Sequence, residues 1–142
     1  MYNVKIVETT KEHDDAITVR KKVFVEEQGV PLHLECDAED ASATHFIMYE
    51  GNEPVGAARL RSIENDAAKI ERVCILQDQR GKNLGALIMK EMEKHAISIQ
   101  MKKLKLHAQS YAIPFYEKLG YSVTSPEFMD AGIPHRAMEK NI

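Results

Sequence analysis

The 142-residue chain predicts an α+β fold in one domain spanning residues 1–142, a mixed and mostly antiparallel central sheet with one parallel strand pair and flanking helices. Three observations carry this expectation. Two tight turns, Gly51-Asn52 and Asn65-Asp66, join three strand-like runs, which makes those strands consecutive and antiparallel. An amphipathic stripe of Leu84, Leu87, Ile88, Met92, Ala96 and Ile99 then marks a long helix. After it, Leu104, Leu106 and Ala108 alternate with Lys103, Lys105 and His107, so a strand, a helix and a strand follow in succession and imply a parallel pair.

The elements follow in order. Tyr2 to Val7 alternates as a first strand. Thr9 or Thr10 caps a helix whose apolar positions Ala16, Val19, Val23 and Phe24 keep a helical period, and Gly29 and Pro31 stop it. Glu26 to Asp40 holds six acidic residues and no lysine or arginine, which reads either as a solvated loop or as a rim that attracts cationic substrates. Thr44–Glu50, Pro54–Ile63 and Ala67–Leu76 are the three antiparallel strands. Ser110 is placed to cap a short helix with Pro114 in its first turn, and Gly120 suits the left-handed position that ends it. Ile133 to Met138 forms a last strand after an Ala131-Gly132 turn.

Composition narrows the partners. A formal net charge of −3 lacks the basic face of a nucleic-acid binder. No apolar run approaches the roughly 20 residues of a membrane span, and Met1 opens directly on strand-like alternation. The expectation is a cytoplasmic protein with no membrane and no nucleic-acid partner. Cys36 and Cys74 lie far apart and read as free thiols. His33, Cys36 and His45 match no zinc-module spacing, so no metal is expected.

The segment Gln79 to Ala86 turns a strand into the long helix. Such a turn aims unpaired N–H groups and the positive end of the helix dipole at one spot, an anion site suited to a phosphate or pyrophosphate. Lys82 is followed by Asn83, and no Gly-Lys-Ser/Thr occurs, so a P-loop is excluded; the Gly-x-Gly-x-x-Gly dinucleotide fingerprint is also missing. Arg80-Gly81-Lys82-Asn83-Leu84-Gly85 instead resembles the pyrophosphate loop of the GCN5-related N-acetyltransferases (GNAT), Arg-x-x-Gly/Ala-x-Gly/Ala, with Asn83 where glycine is usual. Asparagine is the side chain that best tolerates positive φ after glycine.

Downstream, Ala112-x-x-Phe115-Tyr116-Glu117-Lys118-Leu119-Gly120-Tyr121 resembles the second signature of that family, one helix and one strand further on. The resemblance spans nearly the whole chain and implies the GNAT acyl-CoA N-acyltransferase fold, in which the parallel pair is splayed. Arg20-x-x-Val23-Phe24-Val25-Glu26-Glu27-Gln28 and Asp130-x-Gly132-Ile133-Pro134-His135 are similar to a small uncharacterised bacterial branch. The Arg-x-x-Val-Phe element is also similar to acyl-homoserine-lactone synthases.

What the resemblance implies is acetyl transfer from acetyl-CoA to a primary amine, either a small molecule or a protein lysine or N-terminus, by direct ternary-complex transfer. Arg80, Gly81, Lys82, Asn83, Leu84, Gly85 and Ala86 would wrap the coenzyme A pyrophosphate. Val73, Cys74 and Ile75 would offer backbone groups to the pantetheine arm and the acetyl carbonyl, and Gln109 and Phe115 would add cofactor contacts; Gln109 replaces the usual asparagine. Tyr116 would donate a proton to the leaving thiolate. Glu71, an acid in an apolar strand, is the first candidate base through water, or else an ion-pair partner of a neighbouring strand; Arg72 should point to the opposite sheet face. His107 is the second candidate base. A non-catalytic acyl-CoA sensor, in the form of a homodimer, and an acyltransferase using a longer acyl-CoA are the alternatives.

Overall fold

The computed structural model describes all residues, Met1–Ile142. Strand β1 (Tyr2–Ile6) leads into α1 (Thr10–Arg20), which continues as a π-helical segment, Lys21–Glu27, and is followed by the short α2 (Leu32–Glu35). Strands β2 (Thr44–Glu50), β3 (Glu53–Glu64) and β4 (Ala67–Ile75) form the antiparallel meander. Then come α3 (Leu84–Ser98), β5 (Lys103–Gln109), α4 (Ile113–Lys118), β6 (Ser122–Val123), β7 (Phe128–Asp130) and β8 (Ile133–Asn141). The sheet order is β1-β2-β3-β4-β5-β8-β6, with β7 paired on β8. Only β4 and β5 are parallel, as the strand, helix and strand succession requires.

Local chemistry explains the boundaries. The Thr9 hydroxyl accepts from the Glu12 N–H while the Glu12 carboxylate accepts from the Thr9 N–H, a reciprocal capping box that starts α1. The Gly51-Asn52 and Asn65-Asp66 turns close the meander as expected. Ser110 departs from the expectation: Gln109 leads into one 3₁₀ turn, α4 starts at Ile113 with Pro114 in its first turn, and the Ser110 hydroxyl donates to Glu127. The last strand runs to Asn141, beyond the Met138 expected, because its second half pairs with both β5 and β6.

One face of the sheet carries α3 and α4, the other α1. On the first, Ile70, Leu104, Leu106 and Ala108 pack with Ile88, Met92 and Ala96 of α3 in the main core. On the second, Ala16, Val19 and Val23 pack on Ile47, Ala57 and Cys74. The acidic run between α1 and β2 lies against this second face.

That run is neither a solvated loop nor a free cation-attracting rim. Arg20, wholly buried, donates to Glu35 at 2.7 Å and to Asp40 at 2.7 Å, and Glu35 is 1% exposed. Arg59, also buried, donates to Asp37 and Asp40 at 2.7 Å and pairs with Glu71 at 2.9 Å. Arg72 donates to Glu35 and Asp37, Arg61 to Glu39 and Glu71, and Lys69 pairs with Glu71. Five basic and five acidic side chains therefore share one network. The arginines that satisfy the acidic run come from α1, β3 and β4, distant in sequence, which is why composition within the run gives no sign of them.

Burial opposes ionisation of Asp40, but hydrogen bonds from Arg20 and Arg59 outweigh it and hold its carboxyl well below the usual range. Removing one partner leaves a buried charge unpaired, so Glu35→Ala should cost about 3–5 kcal/mol by urea unfolding; a loss under about 1 kcal/mol would mean the pair is solvated. Depressed carboxylates stabilise above their unfolded pKa and lose that stabilisation as pH falls through the folded one. For Glu71 the window runs from 4.5 down to about 2. Equilibrium unfolding should therefore show stability falling across that interval; a flat profile there would contradict the network.

Candidate active site

The parallel pairing of β4 and β5 covers only Ala67–Ile70 against Lys103–Leu106. Beyond it the strands part. β4 stays on β3, but its register shifts between Ala57 and Arg59, so Arg72 and Val73 together oppose the single residue Ala58. Arg72 takes φ 59°, a left-handed conformation unusual for a side chain with Cβ. This is a β-bulge, and it bends β4 away from β5.

The bulge also corrects one expectation. Strict alternation sends Glu71 and Arg72 to opposite faces, whereas both belong to the same ionic network, Glu71 through Arg59 and Arg72 through Asp37. The extra residue breaks the period of two. Burial works against the Glu71 carboxylate, yet the hydrogen bond from Arg61 and the charges of Arg59 and Lys69 hold it at about 2.

The gap between the strands is a cleft of about 530 Å³. Its walls include Glu71, Val73, Cys74 and Ile75 from β4, Gly85 from α3, Gln109 from β5, and Phe115 and Tyr116 from α4, together with Arg80. These nine residues of the sequence expectation are brought together. Leu84 is buried beneath them, and Lys82 lies at β1, where its ammonium donates to the Tyr2 hydroxyl and to Gln79. Gly81, Lys82, Asn83, Leu84 and Ala86 form the turn and the start of α3 beside the cleft rather than its wall.

Asn83 holds φ 63° at the N-cap of α3, the left-handed conformation expected where glycine is usual, and its side chain makes no capping bond. At Gly85, an added Cβ would stand 3.1 Å from Phe115 Cζ, so the missing side chain lets that ring lie against the opening turn of α3. The Arg80 guanidinium donates to the Ile75 carbonyl at 3.0 Å and to both oxygens of Glu27 at 2.6 and 2.7 Å. Gln109 exchanges two amide hydrogen bonds with Gln28, at 2.8 and 3.3 Å. At the end of the π-helical segment, Gln28 thus reaches β5, and Glu27 reaches Arg80 in the turn after β4.

Tyr116 meets Phe115 and Tyr121 edge to face, and its hydroxyl makes no hydrogen bond to the protein. Burial pushes its pKa well up, and the same effect drives the Cys74 thiol up to about 12. Cys36 and Cys74 are both free. His107 and His135 also line the cleft; burial, then the Lys69 charge, lowers the His107 pKa.

Comparison with known proteins bears on this arrangement. Residues 8–142 match the model of an acetyltransferase (GNAT) domain. The chain belongs to the GNAT acetyltransferase family. It is 42% identical over 137 residues to the uncharacterised N-acetyltransferase YjcF of Bacillus subtilis, covering 96% of this chain and 97% of that one. The solved structure of a Lactobacillus plantarum protein superposes with a TM-score of 0.92 at 25% identity, covering 99% and 97% of the two chains. A Bacillus subtilis acetyltransferase solved in complex with CoA, 11% identical with a TM-score of 0.77 over 100% and 99%, shares the fold. This GNAT chain is therefore an acyltransferase.

Sequence reasoning left three residues unassigned: Gln28 and His135 of the cleft wall, and Glu27, which holds Arg80. Glu27 and Gln28 were visible only as part of a family-like segment, and His135 only as the end of the Gly132-Ile133-Pro134-His135 stretch. Pairing partners far along the chain place them, and no local signal points there.

The backbone of the GNAT turn yields a direct prediction. Asn83→Ala should cost about 1–2 kcal/mol, the usual penalty for a left-handed Cβ residue, while Asn83→Gly should be neutral or stabilising in thermal unfolding. Equal destabilisation by both substitutions would show that the Asn83 side chain, and not its backbone, shapes the turn.

Proposed function

We propose that this protein transfers the acetyl group of acetyl-CoA to a primary amine, of a small molecule or of a protein lysine or N-terminus, in a direct ternary complex in the cytoplasm. The observation that carries the reading is the interrupted β4–β5 ladder, because it leaves strand backbone facing a cleft beside a tyrosine hydroxyl that has no protein partner. Coenzyme A would thread this gap. The pyrophosphate would take the N–H groups of the turn from Gly81 to Ala86, with Arg80 and Lys82 adding charge, and Val73, Cys74 and Ile75 would hold the pantetheine arm and polarise the acetyl carbonyl. Phe115 and Gln109 would flank the arm on either side.

Acetyl transfer needs a proton at the departing sulfur. Desolvation pushes the pKa of the partly buried Tyr116 phenol well up, so it enters the reaction protonated and able to donate. Desolvation that raises the phenol also raises a thiol beside it, as at Cys74, which keeps donor and acceptor closer in basicity than their values in water suggest. Glu71, held at about 2 by three cations, is a weak proton acceptor, and we assign it to fixing Arg59 and Arg61 in place of the base role.

Arg80 has a competing anion in the free protein. Glu27 occupies its guanidinium, so pyrophosphate binding would exchange one carboxylate for another anion at the same donors. The acceptor meets a cleft wall whose carboxylates are mostly paired, which gives no bias toward polycations.

The test combines binding and turnover. Acetyl-CoA at 100 times its dissociation constant should stabilise the protein by about 2.7 kcal/mol, and coenzyme A release should accompany at least one amine among polyamines, aminoglycosides and amino acids. Tyr116→Phe should lower kcat by about 10²-fold or more with acetyl-CoA affinity unchanged. An acetyl-CoA shift without turnover of any amine would favour the non-catalytic sensor, and a larger shift with longer acyl-CoA species would move the donor assignment. No shift with any CoA species would overturn the reading.

A further inference from the structure

β8 enters the sheet through the Ala131-Gly132 turn, and its register sets His135 opposite Gln109 of β5 on one side and Phe128 of β7 on the other. Residues paired across antiparallel strands project to the same face. His135 therefore shares a face with Gln109, and that is the face reached by Gln28 of the π-helical segment. Tyr116 of α4 lines the same cleft from the other sheet face, where it packs on the core that holds Leu106 and Ala108.

Two contacts fix the imidazole. Its Nδ1 stands 2.7 Å from the Ile133 carbonyl oxygen, which only accepts, so the proton of the neutral ring sits on Nδ1. The ring also stacks on Phe128 at a centroid distance of 6.1 Å and an angle of 21°. The other nitrogen, Nε2, is then an acceptor by default, and it has no hydrogen-bond partner in the protein. His135 is 8% exposed, and the cleft is what it lines.

The neighbouring acids offer no equivalent. Glu35, Asp37, Glu39 and Glu71 all hold arginine partners, and Asp130 is exposed at the outer hairpin. His107 meets Phe128 edge to face but lacks any hydrogen bond that would set its tautomer. Around this corner the titratable and charged groups are His107 of β5, Lys69 and Glu71 of β4, and Asp130 of the β7–β8 hairpin.

We propose that His135 Nε2 accepts the proton of the acceptor amine during acetyl transfer, a role that rests on the transferase reading above. The amine nitrogen bonds to the thioester carbonyl carbon, and the C–S bond breaks with its electron pair passing to sulfur. One N–H proton moves to Nε2, giving an imidazolium whose Nδ1–H still donates to the Ile133 carbonyl; the thiolate takes the Tyr116 proton. Solvent removes the proton from His135 and returns one to Tyr116 before the next cycle. Imidazole is suited to this because one ring nitrogen can accept a proton while the other keeps its own.

His135→Asn separates base from scaffold. The asparagine amide reproduces the Nδ1 donor toward Ile133 but places no atom at Nε2. The measurement is coenzyme A release against pH, with saturating acetyl-CoA and the fastest amine among spermidine, kanamycin and lysine. The expected result is a fall of about 10²-fold or more in kcat, loss of the acidic limb of the kcat profile, unchanged acetyl-CoA affinity, and partial recovery with added imidazole. Should His135→Asn fail to fold, His135→Gln is measured in the same way, since its amide fills the ring volume without accepting a proton. Turnover within about threefold of the wild type, or a slower enzyme with an unaltered acidic limb and no imidazole rescue, overturns the proposal alone. Wild-type protein that turns over none of the amines defeats the transferase reading and this role together.

Discussion

The structure depends on the point at which two parallel strands stop pairing. β4 and β5 hold each other only as far as Ile70 and Leu106. Buried strand backbone normally completes its ladder, because an unpaired N–H or C=O away from water is costly. The Arg72 bulge keeps β4 on β3 while turning its end from β5, and the backbone of both strands is given to a cleft rather than to the core. The pyrophosphate-type turn follows at the end of β4, and α4, with Tyr116, follows from the end of β5. The turn and Tyr116 are thus hung from the two diverging ends, and Gln28 and His135 complete the cleft from the π-helical segment and β8.

Holding a left-handed arginine in that position requires compensation from the surroundings. The compensation is ionic. Arg72 binds Glu35 and Asp37, and those same carboxylates bind Arg20 and Arg59, so α1, the acidic run, β3 and β4 are fixed to one another through ten charged side chains. A buried network of this kind is weak evidence for stability beyond that of an apolar core. Its geometric effect is firmer: it sets where α1 and its π-helical extension lie, and so where Glu27 and Gln28 meet the cleft. It also holds the Asp37 and Glu71 carboxyls at the cleft wall below the ordinary carboxylate range.

Much of this was legible in the sequence wherever local chemistry decides structure. The place of α3 follows from a continuous apolar stripe, Leu84 to Ile99, and an anion-type turn before it, and the helix runs from Leu84 to Ser98. The meander follows from two turn dipeptides, and the left-handed Asn83 from the glycine it replaces. Where partners are distant, legibility ends. The acidic run gave no sign that arginines at positions 20, 59 and 72 would claim it. Glu71 and Arg72 followed the period of two until a bulge, invisible in residue types, added a residue. His135 acquired its neighbours through β8 pairing with both β5 and β7, a consequence of a register that no local pattern encodes.

In the proposed function, the diverging ends of β4 and β5 hold the acyl-CoA arm. Amide hydrogen exchange, followed by mass spectrometry on peptides covering residues 71–76 and 107–110, tests it most directly. Both segments should gain protection together when acetyl-CoA is added, while the paired stretch from Ala67 to Ile70 changes little. Protection confined to the turn after β4, with no gain in either strand segment, would contradict that arrangement.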